Sequence, residues 1–282
     1  MLNYVSSSPR KVHHAIVLEV KKTELFPSKK TIFGIDCAIP FTEATAKAVA
    51  AEGAKFAVRY LVPQSYAWKR LTRSEADTIV GAGMKLASVF QLGTDRPAGG
   101  EANGKADGKA AHLEAIAIGQ LVGSAIFLAV DYDAQPKDYD AIEAYLRAAQ
   151  AELFGYHVGV YGHYGVIEEM ALRGACKFFW QTYAWSGGKK SERAHLYQYK
   201  NNTKLGGVSV DLNEAYTEDI FWKEERVKPV EENKVTAIVF GKKIEGAKLI
   251  DGVTMLPLRE VSNAIGGKVS WDPDTHTARI DK

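Results

Sequence analysis

The chain has 282 residues, of which 46% are hydrophobic and 25% charged, a balance typical of an ordinary globular protein. Its 36 basic and 34 acidic residues are interspersed and give a formal net charge of +2, so no surface for nucleic acid is predicted. The longest apolar stretch, GSAIFLAV, is far shorter than the roughly 20 residues of a membrane-spanning helix, so membrane insertion is not expected.

Residues 1–30 form a predicted N-terminal extension, in which HHAIVLEVKK has the composition of a strand. The stretch MLNYVSSSPRKVHH lacks the apolar core of a signal peptide, so we expect synthesis in the cytoplasm without one. Two cysteines, Cys37 and Cys176, are too few for a disulfide framework. The scattered histidines match no metal-binding spacing, so neither a metal nor another cofactor is predicted.

From residue 31 onward, strand-like runs alternate with helical ones, the pattern of a parallel sheet covered by helices. Strands are predicted at 31–36, 54–60, 84–90, 125–131, 157–162, 177–183, 194–199 and 207–211. Helices are predicted near 42–52, 72–82, 107–122, 138–153 and 163–173, with a closing helix near 214–224. The Gly-rich segment 93–109 is predicted to be a mobile loop.

Eight strands in about 200 residues predict an α/β fold, a compact (β/α)8 TIM-like barrel over residues 31–222 with some reduced helices. An open doubly wound sheet is the alternative, but no Gly-rich phosphate loop follows the first strand. The charged run 223–234 is typical of a linker. Residues 235–282 combine short strands with one short helix, which predicts a small α+β domain.

Catalytic groups of such barrels lie at the C-terminal ends of the strands. Asp36 and Asp211 belong to neighbouring strands and are expected to face Asp131 and Asp133 across the mouth. Two carboxyl groups across a cleft are what glycoside hydrolysis requires, so these four are the candidate catalytic residues. The candidate substrate-binding residues at the same rim are Arg59, Tyr60, Gln91, Tyr161, His163, Gln181, Tyr183, Trp185, Gln198 and Asn213.

Four segments, IFGIDCA, AIFLAVDYD, FFWQTYAW and AHLYQYKNNTKLGGVSVDLNEAY, carry a resemblance to known proteins. They resemble the family-25 glycoside hydrolases, which are lysozymes that cut peptidoglycan. They resemble still more the related glycoside-hydrolase-like domain of bacterial secreted proteins and phage endolysins. The resemblance implies a barrel with Asp36 and Asp211 as rim acids and with the acids after the fourth strand as the catalytic pair.

One departure concerns that catalytic pair. The lysozyme family has D-x-E after the fourth strand, and the glutamate is its expected proton donor, whereas this chain has Asp131-Tyr132-Asp133. Asp133 is one methylene shorter, and displacements near 1 Å can cost about a hundredfold in rate. The related glycoside-hydrolase-like domain shows the same D-x-D form, which favours that assignment.

The tail carries a second resemblance. Its segment MLPLREVSNAIGGKVSWDPDTHTARI resembles the small domain named after the copper amine oxidase N-terminus, which occurs in bacterial cell-surface proteins. It contains no histidine cluster, so the name implies no copper here. We expect residues 235–282 to bind the cell wall.

Together these observations predict an endolysin-like glycosidase that acts on peptidoglycan or another cell-wall polysaccharide. One alternative is a carbohydrate-binding barrel without catalysis, in which the rim acids bind sugar hydroxyl groups. Another is a structural surface or sporulation protein whose barrel is a scaffold, since a fold does not fix a function. The sequence leaves open the bond cut, its stereochemistry and the oligomeric state.

Overall fold

A computed structural model of the protein describes residues 31–222, 235–250, 253–273, 275 and 277–281. The chain divides into two compact units with the boundary between residues 223 and 224. The predicted N-terminal extension and the predicted linker, residues 223–234, lie outside the described residues. Within the described part of the chain, no helix is both long and apolar enough to cross a membrane.

The first unit is a closed eight-stranded barrel, which confirms the predicted fold class. The strands follow one another around the barrel in chain order, and the eighth pairs with the first. Each begins and ends within a few residues of a predicted strand, except that the last two extend further. They are β1 (Ile32–Asp36), β2 (Phe56–Tyr60), β3 (Lys85–Phe90), β4 (Ala125–Ala129), β5 (His157–Gly162), β6 (Phe178–Thr182), β7 (Leu196–Leu205) and β8 (Val208–Ala215).

Five α-helices cover the outside of the barrel and connect the first six strands. The side chains of Thr42 and Thr72 accept hydrogen bonds at the N-termini of the first two helices, as helix-capping residues do. The connections from β6 to β7 and from β7 to β8 contain no α-helix, which agrees with the reduced helices predicted there. The helices are α1 (Glu43–Ala51), α2 (Arg73–Gly81), α3 (Gly100–Ala117), α4 (Tyr139–Glu152) and α5 (Tyr164–Leu172).

Helix α3 begins at Gly100, well before its predicted start near residue 107. The prediction of a loop over 93–109 is therefore wrong from residue 100 onward. The glycines that suggested a loop are needed for close packing against α4. A Cβ atom on Gly104 would lie 2.2 Å from the carbonyl oxygen of Tyr145, and one on Gly108 would lie 2.7 Å from the Cα atom of Ala149.

Strand β8 runs antiparallel to both β7 and β1, so the barrel is not parallel throughout. The predicted closing helix near 214–224 is also wrong, because β8 continues to Ala215. Since this strand ends at the N-terminal end of the barrel, the chain that follows has to cover that end. Ile220 and Phe221 are buried there, and the ring of Phe221 lies 4.9 Å from that of Phe56.

The barrel interior is filled by alternate residues of the strands, as in other small barrels. Large rings face glycines on neighbouring strands. A Cβ atom on Gly34 would lie 2.3 Å from the ring of Phe56, and one on Gly159 would lie 2.5 Å from the ring of Phe127. These two glycines leave room for the aromatic rings that form the floor beneath the mouth.

The described residues of the second unit form three two-stranded antiparallel sheets and one helix. The helix follows Pro257 and ends at Gly266, which adopts the left-handed conformation favoured at helix C-termini. The predicted composition of short strands with one short helix is confirmed. The elements are β9 (Ala237–Val239), β10 (Lys242–Ile244), β11 (Lys248–Ile250), β12 (Val253–Met255), α6 (Leu258–Ile265), β13 (Lys268–Asp272) and β14 (Thr277–Asp281).

Candidate active site

A cavity of about 140 Å³ opens at the end of the barrel where strands β1 to β7 have their C-termini. Most of its walls come from side chains that point inward from consecutive strands. Seven of the predicted site residues line it, together with four residues that were not predicted. The lining residues are Asp36, Tyr60, Val89, Gln91, Ala129, Asp131, Tyr161, Trp180, Gln198, Asn201 and Asp211.

Asp36 and Asp211 lie opposite each other on β1 and β8, and one amide group joins them. The Nε2 atom of Gln198 donates to Oδ2 of Asp36 at 2.8 Å and to Oδ2 of Asp211 at 3.3 Å. The orientation of this amide is fixed by its oxygen, which accepts from the hydroxyl groups of Tyr161 and Thr182, each at 2.9 Å. Gln198 therefore presents its amino group to both carboxyl groups.

The side-chain amide of Asn213, deeper in the barrel, also holds Asp36. The Nδ2 atom of Asn213 donates to the same Oδ2 atom of Asp36 at 2.7 Å, while its Oδ1 atom accepts from the indole N–H of Trp180 at 2.9 Å. Both amide donors thus engage one oxygen of Asp36. Its other oxygen, Oδ1, has no hydrogen-bond partner among the described residues, which leaves it available to a ligand.

Burial, together with the nearby charges of Asp211 and Asp131, raises the pKa of Asp36 from 3.8 to about 7. The hydrogen bonds from Gln198 and Asn213 act in the opposite direction but do not cancel burial. Burial also raises the pKa of Asp211, and the charge of Asp131 adds to this effect. Because each negative charge disfavours the other, ionisation of both carboxyl groups at this site is less favourable than that of isolated ones.

Asp131 is oriented by the loop that follows β3. The Nε2 atom of Gln91 donates to Oδ2 of Asp131 at 2.8 Å, and the backbone N–H of Asp131 donates to the carbonyl of Thr94 at 3.2 Å. Lys69, which was not predicted as a site residue, donates to the backbone carbonyl of Gln91 at 2.8 Å. A buried ammonium group therefore anchors the residue that holds Asp131.

Three predicted site residues are buried away from the cavity and stabilise the rim. Arg59 points outward from β2 and forms an ion pair with Glu75, with Nε and Oε1 2.6 Å apart. Gln181 points outward from β6, where its side chain bonds the backbone of Lys189 and Ser191. His163 caps α5, since its Nδ1 atom accepts from the N–H of Gly165, and its Nε2 atom lies 3.0 Å from the carbonyl oxygen of Ala134.

The remaining four predicted residues also lie outside the set that lines the cavity. Asn213 sits beneath it and acts through Asp36. Tyr183 and Trp185 are exposed on the loop after β6. Asp133, the expected proton donor, is exposed after the end of β4, and its backbone carbonyl accepts from the side chain of Gln135.

Sequence reasoning missed Val89, Ala129, Trp180 and Asn201. Trp180 is buried, and it alternates with the outward-facing Phe179 and Gln181, so strand periodicity places it inside the barrel. Asn201 lies where the pairing of β7 with β8 is irregular, and no sequence pattern marks that irregularity. Its Oδ1 atom is buried without a hydrogen-bond partner among the described residues.

The site thus combines a buried carboxyl group whose pKa is raised to about 7, two further carboxyl groups, and hydroxyl and amide donors. Burial raises the pKa of Tyr60 and Tyr161, so both remain protonated. Within the described residues, no group of three or more His, Cys, Asp or Glu side chains is arranged to hold a metal ion. Such a site can donate a proton to a polar ligand and stabilise positive charge that develops on it.

Comparisons with known families match both units of the chain. Residues 47–215 match the family described as Rv2525c-like, glycoside hydrolase-like domain. Residues 238–282 match the copper amine oxidase N-terminal domain. No curated protein sequence matches the chain significantly.

Solved structures share the barrel. The chain is 28% identical to the Tat-secreted protein Rv2525c of Mycobacterium tuberculosis, crystallised with L-tartrate, with a TM-score of 0.60 over 70% of this chain and 100% of that chain. An uncharacterized B. stearothermophilus protein is 22% identical, with a TM-score of 0.54 over 68% and 100% of the two chains. GHIP, a glycosyl hydrolase 25 of Streptococcus pneumoniae, is 14% identical, with a TM-score of 0.50 over 68% and 94%. The last two similarities concern the fold alone.

Proposed function

We propose, from the premise that this chain belongs to the Rv2525c-like, glycoside hydrolase-like family, that its barrel hydrolyses glycosidic bonds in the glycan strands of bacterial peptidoglycan. The observation that carries the proposal is the cavity in which Asp36, Asp131 and Asp211 meet. Glycoside hydrolysis needs one protonated and one ionised carboxyl group at the same bond, and burial makes Asp36 the candidate for the protonated one.

In this proposal Asp36 is the proton donor. Its Oδ2 atom is occupied by two amide donors, so the proton resides on Oδ1 and is given to the oxygen of the leaving sugar. Asp131, held by Gln91, stabilises the positive charge that develops on the other sugar ring. Water then adds to that ring, and its proton replaces the one that Asp36 gave. Each turnover consumes one water and breaks one glycosidic bond.

This assignment differs from the expectation that Asp133 is the donor. Asp133 is exposed and is not among the residues that line the cavity, whereas Asp36 is buried with a raised pKa. A comparison of the turnover rates of Asp36→Asn and Asp133→Asn distinguishes the two candidate proton donors. The proposal requires the larger loss in Asp36→Asn, and a larger loss in Asp133→Asn would transfer the donor role to Asp133.

We propose further that the chain acts outside the cytoplasm, at the cell wall. Two observations support this. The chain is similar to a Tat-secreted mycobacterial protein, and its C-terminal unit matches the family whose members, by the resemblance described above, occur in cell-surface proteins. The narrower expectation of a phage endolysin rests on sequence resemblance alone and stays a prediction.

The test is incubation of the full chain with purified peptidoglycan, followed by measurement of new reducing sugar ends. We expect the wild type to generate them and Asp36→Asn to lose at least a hundredfold in rate, since general acid catalysis contributes about 10²–10⁴-fold. Asp77→Asn is the matched control, because Asp77 is an exposed acid paired with Arg73 on the outer helix α2. Equal rates for Asp36→Asn and Asp77→Asn would exclude Asp36 as the donor.

A second candidate function is carbohydrate binding without hydrolysis. It is favoured by one observation: the residue at the position of the family-25 proton donor, Asp133, is exposed and lies outside the set that lines the cavity. In that case the wild type would bind glycan fragments in a titration but generate no new reducing ends from peptidoglycan.

A further inference from the structure

The cavity holds only part of a glycan. Its volume of about 140 Å³ is below the roughly 300–1,000 Å³ of pockets that enclose a whole drug-sized ligand. A chain of several sugar rings must therefore leave the cavity and lie on the rim. The rim residues beside the cavity decide which way it runs.

On one side, the loop after β2 carries an exposed indole ring. Trp68 is 65% exposed, yet its ring is held in place by the ammonium group of Lys69, which lies 5.4 Å from its centroid. The same ammonium group lies 4.6 Å from the centroid of Tyr60, which lines the cavity. Lys69 is itself buried and bonded to the carbonyl of Gln91. The exposed ring is thus fixed next to the wall of the cavity.

On the other side, the loop after β6 carries a second exposed indole ring. Trp185 is 49% exposed and has a φ angle of +53°, a conformation that bulky residues rarely adopt. Such a conformation persists only where the surroundings enforce it, and it is concentrated at functional sites.

Here the enforcing contacts are buried. Gln181 Nε2 donates to the carbonyl of Lys189 at 2.8 Å, and its Oε1 accepts from the N–H of Ser191 at 2.7 Å. Ser186 Oγ donates to the carbonyl of Thr182 at 2.6 Å. Gln181 is therefore a positioning residue for the loop that carries Trp185.

The two rings lie on opposite sides of the mouth, because β2 and β6 are four strands apart in a barrel of eight. They also differ from Trp180, which is buried, and from Trp222, which is half-buried. The indole N–H groups of Trp180 and Trp222 donate to Asn213 and Ser88, respectively. Those of Trp68 and Trp185 have no hydrogen-bond partner in the described part of the chain, so each offers a ring face and a donor to a ligand.

We propose that Trp68 and Trp185 form two sugar-stacking subsites on either side of the cavity, so that a glycan strand crosses the mouth from the β2 side to the β6 side. This inference rests on the proposed function, because it places the bond to be cut over the carboxyl groups between the two rings. A ligand that spans both subsites contacts both tryptophans, whereas a fragment confined to the cavity contacts neither.

The experiment measures binding by calorimetry in the full chain with the Asp36→Asn substitution, so that the ligand is not cut. The probes are the disaccharide and the octasaccharide of peptide-free peptidoglycan glycan. Trp68→Ala, Trp185→Ala and the double variant are compared with Phe154→Ala. Phe154 is an exposed aromatic residue on the connection from α4 to β5, at the opposite end of the barrel.

Each tryptophan variant is expected to weaken octasaccharide binding roughly tenfold, as removal of an aromatic anchor does, and the double variant about a hundredfold. Disaccharide binding and the Phe154→Ala control are expected to stay unchanged. Tryptophan variants that bind the octasaccharide as tightly as the control would overturn the proposal, as would equal losses for both probes or no binding of the octasaccharide by any variant. If the tryptophan variants bind only the octasaccharide more weakly while the wild type generates no new reducing ends from peptidoglycan, the two subsites are supported and hydrolysis is excluded.

Discussion

At the scale of single residues, the carboxyl group of Asp36 decides how the site titrates. It is buried, faces Asp211 across the pairing of β1 with β8, and accepts two amide hydrogen bonds on one oxygen. Burial is the largest of the influences that together raise its pKa to about 7. A group with this pKa is still protonated in a useful fraction near neutral pH, as a general acid must be.

The first prediction concerns the pH dependence of turnover. Because Asp36 has to be protonated to donate, kcat/KM on peptidoglycan should fall as the pH rises through about 7. The measurement is the initial rate of formation of reducing ends across that range at constant ionic strength. A rate that is level through pH 7, or that rises there, contradicts the role of Asp36 as the proton donor.

The second prediction concerns how the titration of Asp36 changes the stability of the folded protein. The pKa of Asp36 is raised from 3.8 to about 7 in the folded protein, so the folded state binds this proton more tightly than the unfolded state. The resulting stabilisation is fully present below pH 3.8 and is lost as the pH rises through about 7. Asp36→Asn removes this loss, because the asparagine oxygen still accepts from Gln198 and Asn213 while no charge is buried.

Urea unfolding at a series of pH values measures this difference. The free energy of unfolding of Asp36→Asn minus that of the wild type should increase as the pH rises from about 4 to above 7. Asp77→Asn, on an exposed ion pair, should give a nearly constant difference from the wild type over this range. Parallel curves for the wild type and Asp36→Asn would mean that Asp36 is not the titrating group.

Strand periodicity explains how much of the site the sequence could predict. In β2, inward and outward residues alternate, so Tyr60 lines the cavity while Arg59 points to the helices. The same rule places Asp36 and Asp211 inward. Asp131 and Asp133 both follow the end of β4, where the chain leaves the sheet and the rule no longer applies. Of the two, only Asp131, which is held by Gln91, lines the cavity, and Asp133 is exposed. Their placement depends on tertiary contacts of the loop, which no local pattern encodes.

At the scale of elements, the sequence predicts the strands well and the helix starts less well. Gly100, Gly104 and Gly108 have low helix propensity and suggested a loop, but close packing of α3 on α4 outweighs propensity. The antiparallel direction of β8 had a local signal: Gly206 and Gly207 form a two-residue connection typical of a hairpin. The predicted closing helix is wrong because β8 is antiparallel to its neighbours and ends at the N-terminal end of the barrel. The described part of the chain that follows covers that end and does not form a helix along the outside of the barrel.

The third prediction concerns the interior packing of the barrel. Gly34→Ala would place a Cβ atom 2.3 Å from the ring of Phe56, so the ring or the strand has to move. We expect the free energy of unfolding to fall by about 1–3 kcal/mol, as overpacking of a core does. Gly81→Ala in helix α2 is the matched control, because a Cβ atom there meets nothing within 4 Å.

Chemical denaturation measures both variants. The control should be neutral or more stable by about 0.4–1 kcal/mol, since alanine restricts the unfolded chain. A Gly34→Ala protein as stable as Gly81→Ala would show that the barrel floor can absorb the extra methyl group.

At the scale of the whole molecule, two compact units share one chain, and each matches its own family. The fourth prediction is that deletion of residues 230–282 leaves a folded barrel with full activity on soluble glycan fragments and weaker binding to intact cell walls. The physical reason is tethering, which raises the local concentration of the barrel at its polymer without adding contacts in the cavity.

A sedimentation assay with whole cell walls compares the full and truncated chains, and a fragment assay runs beside it. The truncated chain should bind intact cell walls less well than the full chain, and both chains should act equally on soluble fragments. Equal wall binding by both chains would make the C-terminal unit a structural appendage. An insoluble truncated chain would mean that the two units depend on each other for folding.

Digestion in heavy-oxygen water shows whether the barrel hydrolyses glycosidic bonds of peptidoglycan. Released fragments are reduced at once and weighed by mass spectrometry, with Asp36→Asn as the parallel sample. We expect fragments that carry one heavy oxygen at each new reducing sugar in the wild type, and at least a hundredfold fewer of them in Asp36→Asn. Intact glycan in the wild-type digest, or cleavage that introduces heavy oxygen only into peptide carboxyl groups, would contradict this expectation.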